Sequence, residues 1–163
     1  MTTESSDPLR AHLQRALDWQ DAHASFAAAV ADLAPELRGK TAAGFSHTPW
    51  QLLDHVRRAQ HDILEFCQNP WYKEELHWPD DYWPASAEPP TPDAWDESVA
   101  ACNRDLAAFQ EVAGDARYDL FAKIPHGTGQ TYLRELLLVI DHNAYHVGQI
   151  VAVRKALGAW SPA

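Results

Sequence analysis

Two histidines near the end of the chain have the spacing of a metal site. His142 and His146 lie four residues apart in the run DHNAYHVGQ, residues 141–149. Four residues turn an α-helix by about 400°, so both imidazoles would project from one face, about one turn apart. Pairs at this spacing also arise by chance in a chain with nine histidines. A metal site therefore needs a third ligand from another helix.

The third ligand is best supplied by His55, on the second predicted helix. With Leu52 set to 0° and about 100° per residue, the apolar stripe of that helix covers roughly 320° to 60°. His55 falls at about 300°, at the inner edge of the stripe, whereas His61 falls near 180° and is expected to be solvated. We predict His55 as the third ligand. His47 and His126 lie in loops that reach a bundle end and are weaker candidates.

Three neutral imidazoles would leave the charge of a divalent ion uncompensated and at least one coordination position open. Open sites with three protein ligands are typical of catalytic metals, whereas structural sites have four. The ion would lower the pKa of a bound water toward about 7, or hold a bound thiol as the thiolate. Imidazole ligands suit Zn, Ni or Fe equally here. The candidates for a general base or orienting group are Asp62, Asp141 and Gln149.

Four amphipathic segments would position these ligands. Apolar periodicity and capping residues predict helices over about residues 8–34, 49–69, 92–113 and 130–157. The clearest start is Thr48-Pro49-Trp50-Gln51, a capping box with proline at the first helical position. Thr91-Pro92 is expected to begin the third helix in the same way. With no convincing strand, residues 1–163 are predicted to form a single all-α domain, a four-helix bundle.

The connection between the second and third helices, residues 70–90, is longer than most bundle connections. It carries five aromatic residues: Trp71, Tyr72, Trp78, Tyr82 and Trp83. Two interpretations stay open. The aromatic residues either hold down a crossover that runs the length of the bundle, or they cover a pocket. In the second case the predicted pocket residues are Trp78, Tyr82 and Trp83 from the loop, with Gln51 and Arg58 from the flank of His55.

The overall composition excludes several classes of protein. A net charge of −10 would repel phosphate backbones, so nucleic acid is not expected as a partner. No stretch approaches the ~20 apolar residues of a membrane helix, and the N-terminus has no export signal. We therefore expect a cytoplasmic protein. Two cysteines, Cys67 and Cys102, lie at apolar helix positions and are interpreted as core residues.

The fourth predicted helix is apolar on two sides. One stripe runs from Leu133 to Val151, and a second apolar set comprises Leu136, Val139 and Ile150. This is more apolar surface than one bundle interior should require. Surplus apolar surface usually binds a partner, and two-fold pairing is the commonest arrangement. The pattern predicts a homodimer.

Two segments resemble the DinB-like (DinB/YfiT) superfamily of bacterial four-helix bundles. They are HTPWQLLDHVRRAQHDILEF, residues 47–66, and LRELLLVIDHNAYHVGQIVAVRKALGAW, residues 133–160. The loop segment WPDDYWP, residues 78–84, resembles a subgroup of the same superfamily. The resemblance implies that His55, His142 and His146 bind a divalent metal, that the long loop is a crossover, and that the protein is a homodimer.

The resemblance also implies an activity. Characterised relatives include metal-dependent transferases and isomerases that use low-molecular-weight thiols such as bacillithiol or mycothiol. We therefore expect a divalent-metal-dependent transferase or hydrolase that acts on a small molecule, with a low-molecular-weight thiol as a candidate cosubstrate. The alternative is a non-catalytic metal- or ligand-binding stress-response protein of the same fold. In a third interpretation the histidines are satisfied by hydrogen bonds and hold no metal.

Overall fold

The helix that carries His55 starts at the expected capping box. In the computed structural model, which describes residues 7–160, α4 spans Pro49–Gln68. The Thr48 hydroxyl accepts from the Gln51 amide N–H at 3.2 Å, and the Gln51 side chain accepts from the Thr48 N–H at 3.1 Å. These bonds satisfy N–H groups that have no partner inside the helix. The start of α4 is therefore fixed by local sequence.

The remaining helices complete an all-α fold. Four helices make a closed ring of contacts, in which α1 (Pro8–Leu17) and α4 each touch both α5 (Ala94–Gly114) and α6 (Tyr132–Ala156). This confirms the all-α class and agrees with the expected bundle. Within residues 7–160 the chain forms no β-strand, only an isolated bridge between Lys123 and Thr131. The helices are α1 Pro8–Leu17, α2 Phe26–Val30, α3 Pro35–Arg38, α4 Pro49–Gln68, α5 Ala94–Gly114 and α6 Tyr132–Ala156.

The prediction of one helix over residues 8–34 was wrong, because α1 ends at Leu17 and two short helices follow. Leu13 and Leu17 are buried, but the next positions of that stripe hold polar residues at 20 and 21. Ser25 then caps a new helix, since its hydroxyl accepts from the Ala28 N–H at 3.1 Å. Without apolar side chains to bury, residues 18–25 gain little from continuing the helix.

Smaller differences occur at the other helix boundaries. The predicted cap Thr91 lies in a turn, where its carbonyl accepts from the Ala94 N–H at 3.3 Å, and α5 begins at Ala94. Gly114 was expected just beyond the helix and is its last residue. The N-cap of α6 is Thr131, whose hydroxyl accepts from the Arg134 N–H at 3.2 Å.

The surplus apolar residues of α6 are buried inside the single chain. Leu136, Val139 and Ile150 are at most 1% exposed. Because α1, α2 and α4 all contact α6, the broken first segment covers the face that we assigned to a partner subunit. This argument for a homodimer therefore fails. The dimer remains a prediction from the family resemblance, and the large apolar side chains that α6 exposes are Leu137 and Tyr145.

The hydropathy of α6 also corrects the expectation that no stretch of the chain approaches the apolar length of a membrane helix. By length and composition α6 is apolar enough to cross a membrane, with a mean hydropathy of 1.2 over 18 residues, and it is the one such helix in the described part of the chain. A core helix of a soluble protein meets the same criterion. The helix α6 packs on three other helices, and 39% of its apolar window is buried in the bundle.

A polar layer lies between two apolar clusters of the core. One cluster includes Trp50, Leu53 and Ile150, and the other includes Phe109 and Leu136. Four polar side chains from the middle of α4 and α6 are buried in this layer: His55, Gln60, Asn143 and His146. As expected, both cysteines are buried, and burial raises the pKa of each thiol to about 12. The candidate site therefore occupies the centre of the bundle.

Candidate metal centre

Three histidines from two helices converge in the polar layer. His55 lies on α4, and His142 and His146 lie one turn apart on α6. Each offers a ring nitrogen, and these three atoms all lie within 4.8 Å of one another. The Nε2 atoms of His55 and His142 are 3.1 Å apart. The structure thus brings together the three residues that the sequence proposed as ligands.

The orientation of His55 is set by the crossover loop. Its Nδ1 lies 3.0 Å from the backbone carbonyl of Tyr82. A carbonyl can only accept, so Nδ1 carries the proton and Nε2 presents a lone pair to the site. The indole of Trp83 stacks on the imidazole at 3.8 Å, with an angle of 2° between the rings. His55 is therefore held in one tautomer and one rotamer.

His146 is oriented by a side-chain amide. Its Nδ1 lies 2.7 Å from the Oε1 of Gln149, which is one turn further along α6. The amide oxygen accepts the Nδ1 proton, so Nε2 of His146 is free to bind an ion. Partners of this kind set the direction and basicity of metal ligands. Gln149, a sequence candidate for an orienting group, occupies that position.

The donor set fits a divalent ion. Nitrogen ligands bound to zinc at about 2.0–2.1 Å in tetrahedral geometry lie about 3.3 Å apart, close to the 3.1 Å between His55 and His142. The Nε2 of His55 carries a lone pair. The facing Nε2 of His142 must therefore either donate a proton to that lone pair or share a cation with it. His142 Nδ1 is also buried and has no partner among the described residues. A cation held by the Nε2 atoms would take up both facing lone pairs.

Burial keeps the three imidazoles neutral. It is the main cause that lowers the pKa of His55 and of His146 to about 4, with the neighbouring histidines adding to the effect. Burial also lowers the pKa of His142. Only the neutral ring has a lone pair for a metal. The ligands are thus ready to bind at neutral pH and keep this form below the pH of about 6 at which ordinary histidines protonate.

The stability of the metal-free protein should fall as the pH drops from 6.5 toward 4. In that pH window the histidines of the unfolded chain, with a pKa of about 6.5, bind protons. Folded His55 and His146 stay unprotonated because their pKa is about 4. Proton binding by the unfolded state alone favours unfolding. Urea unfolding in the presence of a chelator should show a shallower pH dependence for His146→Gln than for wild type. His126→Gln, which changes an exposed histidine, is the control. Identical pH profiles for wild type and His146→Gln would contradict the assignment.

Of the catalytic candidates, Asp62 is the one that shares a cavity with His142. Its carboxylate accepts from the hydroxyls of Tyr82 at 2.7 Å and Tyr72 at 3.0 Å. Burial and the bond to Asp62 raise the pKa of both phenols, so both keep their protons. Asp141 is exposed on the outer side of α6. The loop residues thus hold Asp62 in place beside the site.

A cavity of about 430 Å³ opens beside His142. Its walls come from α4, α6 and the crossover loop, and the loop supplies three of its aromatic side chains. Trp78 and Tyr82, both predicted pocket residues, line it, so the loop both packs on the bundle and covers a pocket. The lining also includes Asp62, Phe66, Tyr72, Glu74, Arg134, Glu135 and His142.

Three predicted pocket residues lie outside this cavity. Gln51 is used by the capping box of α4. Arg58 donates to Asp54 at 2.7 Å and to the carbonyl of Asp81 at 3.3 Å, which joins α4 to the loop. Trp83 stacks on His55 instead of lining the cavity. Arg58 and Trp83 thus connect α4 to the crossover loop, and Gln51 stabilises the start of α4.

Two residues near the site were not given their observed places by the sequence analysis, which did not name Glu135 and gave His47 only as a weaker candidate ligand. Glu135 is buried beside the cavity, where Arg134 donates to both carboxylate oxygens at 2.8 and 3.0 Å, and burial raises the pKa of Glu135. It precedes His142 by seven residues, two helical turns, so the helical repeat could have revealed it. His47 stacks on Trp83 at 3.9 Å. Its position in a loop offered no comparable signal.

The sequence as a whole matches one family model. The model, described as the DinB family, matches residues 4–163. The chain belongs to the DinB family. The match confirms the resemblance and covers every helix of this DinB-family chain. No curated protein and no solved structure matched it.

Proposed function

We propose that this DinB-family protein is a divalent-metal-dependent enzyme that transfers or hydrolyses a group on a small molecule, with a low-molecular-weight thiol as cosubstrate. The main support is the cluster of three neutral imidazoles, of which His142 lines a cavity of about 430 Å³. A closed structural site would have a fourth protein ligand. Among the described residues, no other His, Cys, Asp or Glu belongs to the cluster.

Each part of the site has a role in this proposal. His55, His142 and His146 would hold the ion, which when bound would activate a water or thiol as a nucleophile at neutral pH. Asp62 lines the cavity and is the base that accepts the proton of the substrate. Tyr72 and Tyr82 hold its carboxylate by hydrogen bonds of 3.0 and 2.7 Å.

The charges of the cavity favour a cationic or neutral substrate over an anionic one. Three carboxylates, those of Asp62, Glu74 and Glu135, line it, against one cation, Arg134. Aromatic faces such as that of Trp78 also attract cations. An anion larger than the group that binds the metal would meet this excess of negative charge. We therefore propose a substrate with an apolar body and an amine.

Zinc-loaded protein should accelerate the S-arylation of cysteamine by 1-chloro-2,4-dinitrobenzene, in which a C–S bond forms and chloride leaves. Cysteamine carries an ammonium group and 3-mercaptopropionate carries a carboxylate, and each rate with protein is divided by the rate of the same thiol without protein because the two thiols differ in pKa. The acceleration by the protein should be at least about tenfold larger for cysteamine than for 3-mercaptopropionate. That ratio corresponds to a difference of about 1.4 kcal/mol in activation free energy. Absorbance of the thioether product gives both rates.

Two tryptophan variants provide the controls. Trp78→Ala removes a cavity wall and should lower the acceleration, whereas Trp71→Ala changes an exposed tryptophan that does not line this cavity and should not. Equal accelerations for both thiols would refute the charge preference. Thiol binding to the cobalt-substituted protein without turnover would favour the alternative, a non-catalytic metal- or ligand-binding stress-response protein.

The proposed partners follow from the same features. A small molecule is the expected ligand, and the net charge of −10 argues against nucleic acid. A cytoplasmic location and a homodimer complete the proposal. For the dimer, the exposed Leu137 and Tyr145 on α6 are the surface to test.

A further inference from the structure

The Nδ1 proton of His142 has no assigned acceptor. If the Nε2 lone pairs of all three histidines bind one ion, each ring must carry its proton on Nδ1. The Nδ1–H of His55 donates a hydrogen bond to the Tyr82 carbonyl, and the Nδ1–H of His146 donates one to the Oε1 of Gln149. His142 Nδ1 is buried away from water and has no partner among the described residues. The proton therefore requires an acceptor from the protein.

An acceptor without a partner lies on the next residue. The Oδ1 of Asn143 is buried and also unpaired within the described part of the chain. The two residues are consecutive on α6, so the unpaired donor and the unpaired acceptor lie on neighbouring side chains. The Asn143 side chain is already close enough to raise the pKa of His142 against the larger lowering by burial.

The amide of Asn143 is oriented by a chain of buried hydrogen bonds. Its Nδ2 donates to the Oε1 of Gln60 at 2.7 Å, and the Nε2 of Gln60 donates to the carbonyl of Cys102 at 2.7 Å. The carbonyl can only accept, so the directions of both amides follow from it. The chain leaves the oxygen of Asn143, and not its nitrogen, as the free group.

We propose that Asn143 is a positioning residue of the metal centre, whose Oδ1 accepts the Nδ1 proton of His142 and directs the His142 Nε2 toward the ion. Through Gln60, this contact ties the ligand on α6 to the backbone of α5. Each of the three histidines then has a partner that fixes its tautomer, as metal-binding histidines normally do.

The test compares two replacements of Asn143 by their metal affinity. Asn143→Leu removes the acceptor and should weaken zinc binding by about 10–100-fold, the usual effect of losing such a partner. Asn143→Asp keeps an oxygen for His142 and should stay within about threefold of wild type, although its carboxylate faces Gln60 Oε1 and lowers the stability of the fold. Competition with a chromophoric chelator measures affinity. The visible absorption of the cobalt-substituted protein should change in Asn143→Leu and be kept in Asn143→Asp.

Thermal unfolding of the metal-free variants separates positioning from general damage. If Asn143→Leu does not fold, Asn143→Ala removes the same acceptor with less bulk. Zinc affinity that falls equally in the Asp and Leu or Ala variants, or in none of them, would overturn the role of Asn143. The inference rests on the proposed metal centre, so zinc binding by wild type is measured first. Its absence would overturn both proposals, whereas normal wild-type binding with equal variants overturns this one alone.

Discussion

Replacement of His146 by alanine is expected to remove most of the divalent metal from the purified protein. Wild type should carry close to one ion per chain. His146 is buried, neutral and held by Gln149 with its Nε2 free, so its loss takes away a direct ligand. The affinity should fall by more than the roughly 10–100-fold that losing an outer partner costs. Elemental analysis of protein purified without an affinity tag measures the metal content.

The matched control is His61→Ala on α4. His61 is exposed and bonded to Asp105 at 3.3 Å, so this variant should keep the metal. The triple variant His55→Ala, His142→Ala and His146→Ala should bind none. Full occupancy in the triple variant would refute the site, and the interpretation of three hydrogen-bonded histidines without metal would replace it.

Replacement of Arg154 by methionine is expected to destabilise the fold by about 3 kcal/mol, a fall of about 6–12 °C in Tm. Arg154 is buried near the end of α6. It donates to the carbonyl of Ala29, at the end of α2, at 2.6 Å and to that of Ala159 at 3.1 Å. Methionine fills similar space but leaves these buried carbonyls without a charged donor.

Arg117→Met provides the comparison for Arg154. Arg117 pairs with Asp115 at the surface, and its side chain is 89% exposed. Exposed pairs contribute little, so this change should stay within about 0.5 kcal/mol. Differential scanning calorimetry of both variants decides the point. Equal shifts in Tm would show that Arg154 does not hold α2 and the C-terminal segment to the bundle.

The ligand histidines could be predicted from helical geometry together with the family resemblance. The spacing of His142 and His146 and the angle of His55 relative to Leu52 depend only on the repeat of the helix. The start of α4 was equally local, since the capping box involves Thr48 and Gln51 and no distant residue. Features set within one or two turns of a helix were thus readable from the sequence.

Features that depend on distant contacts could not be predicted. The break after Leu17 places α2 against α6, where Phe26 and Val30 join the cluster that buries Ile150, whereas α1 joins the cluster that buries Leu136 and Val139. Tyr82 and Trp83 orient His55 through a backbone carbonyl and a stacked ring, neither of which leaves a periodic pattern. The role of Gln149 was within reach because it shares the helix of His146. Asn143 required knowledge of Gln60 on another helix.

The contact between His55 and the Tyr82 carbonyl makes the loop part of the ligand geometry. A backbone carbonyl is present whatever side chain residue 82 carries, so point substitution there leaves the acceptor in place. The same residue bonds Asp62 through its hydroxyl at 2.7 Å. An insertion or deletion in residues 70–90, by contrast, would shift both groups together. The loop can therefore diverge in sequence while its length is held constant by the ligand that it orients.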